Sequence, residues 1–368
     1  MNKEKIAFFI IDLYRGGGEK VVVDLSNDLV QRGFDVDLVL VKKRGPYLDL
    51  VDKNVEIVDL DVDRIIFSLP KLIRYLKQNK PKALLSISKH PHLISIWAKM
   101  ISRVDTKIIL RLGIPFSRGG SKANWRERIL PILIKMFYPF ADLIVGNSEF
   151  ITNDFRSVVK VKDSKITTIY SPKPTEEILS KSLEKTGEDW LDNKDKPVII
   201  SVGRLTEQKG FTTLLEAFIK SQEKIDSRLI ILGNGEDQEV LEKMAISSGV
   251  SDKFKIIGFQ KNPYAFMAKS DIYVLPSRYE GMPNAMIEAM ICGVPVIASD
   301  IPPAVEITRN GEFGINYPLD NVDTLAGEMV GMLGDKNKLE MFGKKAKERV
   351  KVFDHEVIMK RYIEVFTC

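Results

Sequence analysis

The chain has 368 residues, 44% of them apolar, too many for one ordinary domain and enough to core two of fewer than about 200 residues each. Two cysteines make neither a disulfide framework nor a metal-ligand spacing. No apolar run reaches the roughly 18 residues of a membrane span. The net charge of +5 hides an asymmetry: residues 64–135 hold 16 Lys and Arg against two acidic residues, Asp105 and Glu127, which points to an anionic partner, with a solvated face as the plain alternative.

Residues 5–13, KIAFFIIDL, form a continuous apolar run, as a buried parallel strand does. Gly16, Gly17 and Gly18 follow, then an amphipathic helix over 21–33. Strands are predicted at 35–41 and 55–60, a helix at 67–79, a strand at 83–87, a helix at 93–101 and strands at 107–110 and 141–145. Residues 170–197 lapse into SPKP, EKTGEDW and DNKDKP, which marks a boundary. Alternation restarts with strands at 197–202, 228–233, 254–258, 271–276 and 294–299, interleaved with helices at 212–220 and 238–247. A short element near Ala304 and helices at 322–333, 338–350 and 355–365 end the chain. The reading is α/β: two Rossmann-like, doubly wound parallel-sheet domains at 1–172 and 190–353, a linker at 173–189, and a cleft between them. Residues 1–10 do not read as a secretory leader, so a cytoplasmic protein is expected.

Gly16 to Gly18 sit where a strand gives way to a helix and can admit a phosphate to backbone N–H groups, although a plain tight turn needs the same residues. A dinucleotide fingerprint would carry a glycine where Val21 stands. In SVGRLTEQKG, Arg204 and Lys209 share one strand-to-helix loop and can converge on diphosphate oxygens. In YEGMPNAMIEAMICGVPVIASD, Gly281, Met282, Pro283 and Asn284 open a helix, with Pro283 at its first position and nearby amides free to cradle an anion. Glu288 lies one turn beyond Asn284 on the same face, and Glu280 precedes the helix. One shallow and one deep carboxylate suit a ligand with hydroxyls at both ends. The Asp35–Asp37 and Asp61–Asp63 triplets do not read as metal sites, and no metal or cofactor is expected. His90 and His92, after a strand, are candidates for acceptor contact or proton transfer. Residues 121–140 read as a core helix broken in two at Pro131, against the alternative of an interfacial membrane helix.

SVGRLTEQKG, LGNGEDQEVLE and YEGMPNAMIEAMICGVPVIASD resemble the signature of retaining glycosyltransferase family 4, which has the GT-B architecture. The likeness is dense over 197–310, and RGGGEK resembles that family's Gly-Gly-x-Glu loop. It implies transfer, with retention, from a nucleoside-diphosphate sugar, most often a UDP-sugar. Arg204 and Lys209 would hold the diphosphate, Glu288 the ribose, Glu280 the sugar, and Gly16 and Gly17 would lie beside the phosphates. The base would rest on the loops at Gly233, Gly235 and Glu236 and at Gly258, Phe259 and Gln260, and the helix near 354–368 would return to the first domain. Where many relatives carry a histidine this chain has Arg111, taken as its substitute, and Ser171-Pro172-Lys173-Pro174 replaces a common Pro-Asn-Gly turn. The acceptor is expected to be a glycan or lipid-linked precursor, with contact to an anionic membrane at the inner face of the plasma membrane and none to nucleic acid. A nucleotide-sugar epimerase of the same architecture and a non-catalytic nucleotide-sugar sensor are the rival readings.

Overall fold

A computed structural model describes residues 4–14, 17–116 and 125–368. The chain divides into two compact units, Met1–Pro172 with Glu356–Cys368, and Lys173–His355. In the first, β1 (Lys5–Ile10), β2 (Asp35–Leu40), β3 (Glu56–Asp59), β4 (Ala83–Ile87), β5 (Lys107–Leu112), β6 (Leu143–Gly146) and β7 (Ile166–Thr168) form one sheet. Its order is β3-β2-β1-β4-β5-β6-β7, with every pairing parallel. Such a sheet must be covered on both faces, and β1 shows how. Ala7 and Phe9 enter one core with Leu84 and Leu110, whereas Ile6, Phe8 and Ile10 enter the other with Val22 and Leu25 of the helix Gly17–Gln31.

The second core is closed by a helix from the far end of the chain, His355–Thr367, through Ile358, Met359, Tyr362 and Phe366. Phe366 meets Phe8 edge to face at 5.9 Å. Polar ties fix the same helix: Lys107 donates to Val365 O at 2.9 Å and Arg361 to Thr168 O at 2.7 Å.

In the second unit, β8 (Val198–Val202), β9 (Arg228–Leu232), β10 (Phe254–Gly258), β11 (Ile272–Leu275), β12 (Val296–Ser299) and β13 (Ile315–Tyr317) form a parallel sheet in the order β10-β9-β8-β11-β12-β13. On one face Ile199, Leu229 and Ile231 pack with Leu214 and Phe218 and with Leu325 and Met329. The loops that follow β8, β9, β10 and β11 therefore emerge side by side at the carboxyl ends of adjacent strands, where ligands of doubly wound sheets bind.

One expectation changes and two gain detail. The helix Trp125–Phe137 runs unbroken through Pro131. That proline removes one i→i−4 donor, yet Leu130 and Ile134 on either side of it are buried with Tyr138, and this burial keeps the turn helical. Residues 121–124 lie outside the described residues. Segment 173–189, expected as the linker, holds the helix Thr175–Ser182 and leads into Asp189–Asp192, with Ile178 and Leu191 buried. The short element near Ala304 is the helix Pro302–Thr308, followed by β13. Among the described residues no helix is long and apolar enough to cross a membrane.

Candidate active site

The loop after β8 is bonded to its neighbours along its whole length. Gly203 N donates to Leu232 O and Leu205 N to Asn234 O, both at 3.0 Å, and Asp237 N returns to Leu205 O at 3.1 Å. Gly233 N donates to Gly258 O at 2.9 Å, which joins the loops after β9 and β10. A Cβ on Gly235 would lie 2.1 Å from Leu205 O, so this glycine is demanded by backbone approach within the protein. Gly210 ends the β8 loop at φ +64°, and a Cβ there would fall 2.2 Å from Pro276 O at the end of β11. Further out, Glu236 and Phe259 are exposed, and Gln260 Nε2 reaches Ile257 O at 3.4 Å.

These constraints press the β8 loop against residues 276–283. Arg278 N donates to Gln208 O at 2.8 Å, and Gln208 Nε2 to Tyr279 O at 2.9 Å. The Arg278 guanidinium spans Glu207 at 2.8 Å and Asp320 at 3.2 Å. Inside this zipper the Lys209 ammonium pairs with Glu280 Oε1 at 2.5 Å, and the buried Ser277 hydroxyl donates to the same oxygen at 2.9 Å. Arg204, on the same loop, is exposed.

The helix Asn284–Ile291 starts one residue later than expected. Pro283 takes the capping position, and Asn284 N donates to Met282 O at 2.9 Å, so that amide closes the turn and does not face a ligand. Met282 is buried and Gly281 half-buried. One turn on, Glu288 accepts from the Lys173 ammonium at 2.7 Å, with side chains 18% and 8% exposed. Lys173 is a residue that sequence reasoning missed. Its signal was the cation in SPKP, at a place where the resembled family has a turn. Burial keeps the phenol of Tyr273 protonated, and the charges of Glu280 and Glu288 add to that effect. Asn284 Oδ1 is buried and has no hydrogen-bond partner among the described residues. Open acceptors of this kind are costly unless a ligand or water meets them.

In the first unit, Gly16 lies outside the described residues, Gly17 opens the helix that follows β1, and Gly18 faces Ile87 at the end of β4. Two acceptor-side candidates are buried. The helix expected at 93 starts at Lys89, because Pro91 fits its first turn, and this carries His92 into the core. There Nδ1 lies 2.9 Å from Tyr138 Oη and Nε2 3.1 Å from Ser86 O. Arg111 is buried too: it donates from Nε to Tyr362 Oη at 3.0 Å and from Nη2 to Ser171 Oγ at 2.8 Å, an anchor for the returning helix. His90 is exposed on the helix's first turn. The Asp triplets are spent on ion pairs, Asp35 and Asp37 with Lys5 at 3.2 and 2.9 Å, and Asp63 with Lys42. Among the described residues no group of three or more His, Cys, Asp or Glu is placed to hold a metal ion.

Burial pushes the His92 pKa down from 6.5 to about 3, so the ring is neutral in the fold. A depressed histidine contributes stability that is whole above its unfolded pKa and lost as pH falls toward the folded one. Between about pH 7 and pH 5 this group is expected to remove about 2 kcal/mol. His92→Gln should flatten that part of the slope in urea unfolding at the two pH values, and an unchanged slope would refute the assignment.

Sequence profiles of known families match both units. The family described as Glycosyltransferase Family 4 covers residues 15–177, and the one described as Glycosyl transferases group 1 covers residues 184–349. The chain is a family 4 glycosyltransferase. It is 28% identical over 364 residues to the Campylobacter jejuni N-acetylgalactosamine-N,N'-diacetylbacillosaminyl-diphospho-undecaprenol 4-alpha-N-acetylgalactosaminyltransferase, covering 95% of this chain and 96% of that relative. A lipopolysaccharide core biosynthesis glycosyltransferase of Rhizobium meliloti is 25% identical over 356 residues, 95% of each chain. Among solved structures, Anabaena HepE in complex with UDP superimposes with a TM-score of 0.84 at 19% identity, over 99% of both chains. The glycosyltransferase thus has the GT-B fold, built from the seven- and six-stranded parallel sheets described above.

Proposed function

We propose that this glycosyltransferase moves a hexose or N-acetylhexosamine from a UDP-sugar, with retention of configuration, to a hydroxyl of a lipid-linked glycan precursor. The observation that carries the reading is the Lys209–Glu280 pair where β8 and β11 end, with Arg204 on the same loop as Lys209. A diphosphate draws the Lys209 ammonium and the Arg204 guanidinium, and Glu280 is then free to accept hydrogen bonds from the sugar. Glu288 accepts from the ribose hydroxyls. As the bond from C1 to the phosphate oxygen breaks, negative charge grows on the diphosphate, and the two cations drawn to it stabilise that charge. The acceptor oxygen bonds to C1 on the face the diphosphate leaves, and its proton passes to the departing phosphate oxygen. No side chain becomes a covalent nucleophile. Support for the donor comes from the complexes of Anabaena HepE with UDP and UDP-glucose. Support for the acceptor comes from the diphospho-undecaprenol in the Campylobacter relative's name and from the basic surplus over 64–135.

Incubation with UDP-sugars and a cell lipid extract, followed by mass analysis and NMR of the product anomer, tests the proposal. A lipid-linked α-product from an α-donor is expected. A β-product ends the claim of retention, and free sugar without an acceptor would favour an epimerase. Because Arg204 and Lys209 meet the diphosphate charge, transfer is expected to survive excess EDTA. Loss of transfer that Mn²⁺ restores would refute this part.

A further inference from the structure

The first unit holds a cavity that none of these roles uses. It measures about 580 Å³ and lies between the turn Ile65–Phe67, the helix Lys89–Ser102 and the helix Trp125–Phe137. That volume falls within the roughly 300–1,000 Å³ of small-molecule sites. Leu93, Ile94 and Leu130 line it and are buried, while Ile66 and Ile129, which also line it, are exposed, so hydrocarbon runs from the interior out to solvent. Beside them Phe67, Ile132 and Met136 are exposed as well. Among the described lining residues the ionisable side chains are Arg64 and His90, both exposed.

A hydrocarbon wall gives water few partners, so the occupant that gains most is itself hydrocarbon. The guanidinium of Arg64 at the wall calls for an anionic end on that occupant. We infer that the cavity binds the first stretch of the hydrocarbon chain of a lipid phosphate or diphosphate, with Arg64 and His90 meeting its phosphate. The inference deepens the proposed function and rests on its lipid-linked acceptor. It assigns the lipid chain a site in the first unit, apart from the donor residues of the second.

Calorimetric titration of the full chain with hexyl, octyl and decyl phosphate, each below its micelle concentration, tests this. Affinity should rise about threefold to fourfold for each added methylene that is buried. Inorganic phosphate should bind far more weakly than decyl phosphate. Ile129→Glu and, on a separate element, Ile66→Glu put a carboxylate at exposed lining positions, and each should flatten the series. Arg64→Ala should weaken every alkyl phosphate about tenfold and keep the chain-length slope. A flat series in the native protein overturns the proposal, as does an unchanged slope in both glutamate variants. Binding to anionic vesicles but to no monomeric alkyl phosphate also overturns it, since a membrane surface would then be the partner. The titration uses no nucleotide, so its failure is separable from that of the proposed function. A steep series without UDP binding leaves the cavity standing and ends the donor reading. A lipid-linked product with a flat series does the reverse.

Discussion

Lys209→Ala is expected to lower kcat by about 10²–10³-fold, the cost of removing one preorganised donor to charge that develops in the transition state. The ammonium is fixed before any substrate arrives, because Gly210 turns the loop back onto Pro276 and Glu280 holds the amine. Its removal also strips Glu280 of its ion partner, leaving the Ser277 hydroxyl bond to a carboxylate only 10% exposed. Some stability should therefore be lost, about 1–3 kcal/mol. Lys209→Ala with Glu280→Gln separates the effects: stability should return and turnover should not. Arg204→Ala tests the same charge at an exposed position, and a drop of about 10² in kcat at unchanged stability is expected. Steady-state rates beside thermal unfolding decide the matter. Near-native turnover in both single variants would remove these two cations from the reaction.

Lys173→Met should act on binding more than on turnover. With both side chains largely covered, loss of the ammonium strands the Glu288 carboxylate, which costs about 3–5 kcal/mol for fully buried pairs and about 2–3 kcal/mol here, where Glu288 keeps 18% of its surface in water. The donor KM is expected to rise about tenfold, because a carboxylate without its anchor adopts rotamers that no longer face the ribose. Adding Glu288→Gln should restore the unfolding temperature but leave KM high. Titration with UDP gives the binding term directly. Native affinity for UDP in Lys173→Met would show that the pair is only structural.

Much of this was legible in the chain. Strands such as β1, β9 and β11 read as apolar runs because parallel strands are buried on both faces, whereas the three-residue β7 and β13 were not among the expected strands. Glu280, Glu288, Arg204 and Lys209 stood out because their loops open at strand ends. What the sequence hid was partnership across distance. Nothing local pairs Lys173 with Glu288, 115 positions away, or Lys209 with Glu280, 71 away. Nothing local showed that Arg111, taken from the family resemblance as a histidine's substitute, would bond to Tyr362 and Ser171. His92 was misplaced by the start of one helix, since a proline in a first turn reads like a loop. Gly235 was expected on a loop that supports the base, and the oxygen its missing side chain makes room for is that of Leu205.

The returning helix His355–Thr367 has a further consequence for how the protein is made. The first unit's sheet is translated early, but one of its faces lacks Ile358, Met359, Tyr362 and Phe366 until the second unit has been synthesised. On the ribosome, Lys173–His355 has every residue it needs before the first unit does. The half that is begun first is therefore completed last, and until then Phe8 and its neighbours on that face present an uncovered apolar surface to the nascent chain's surroundings.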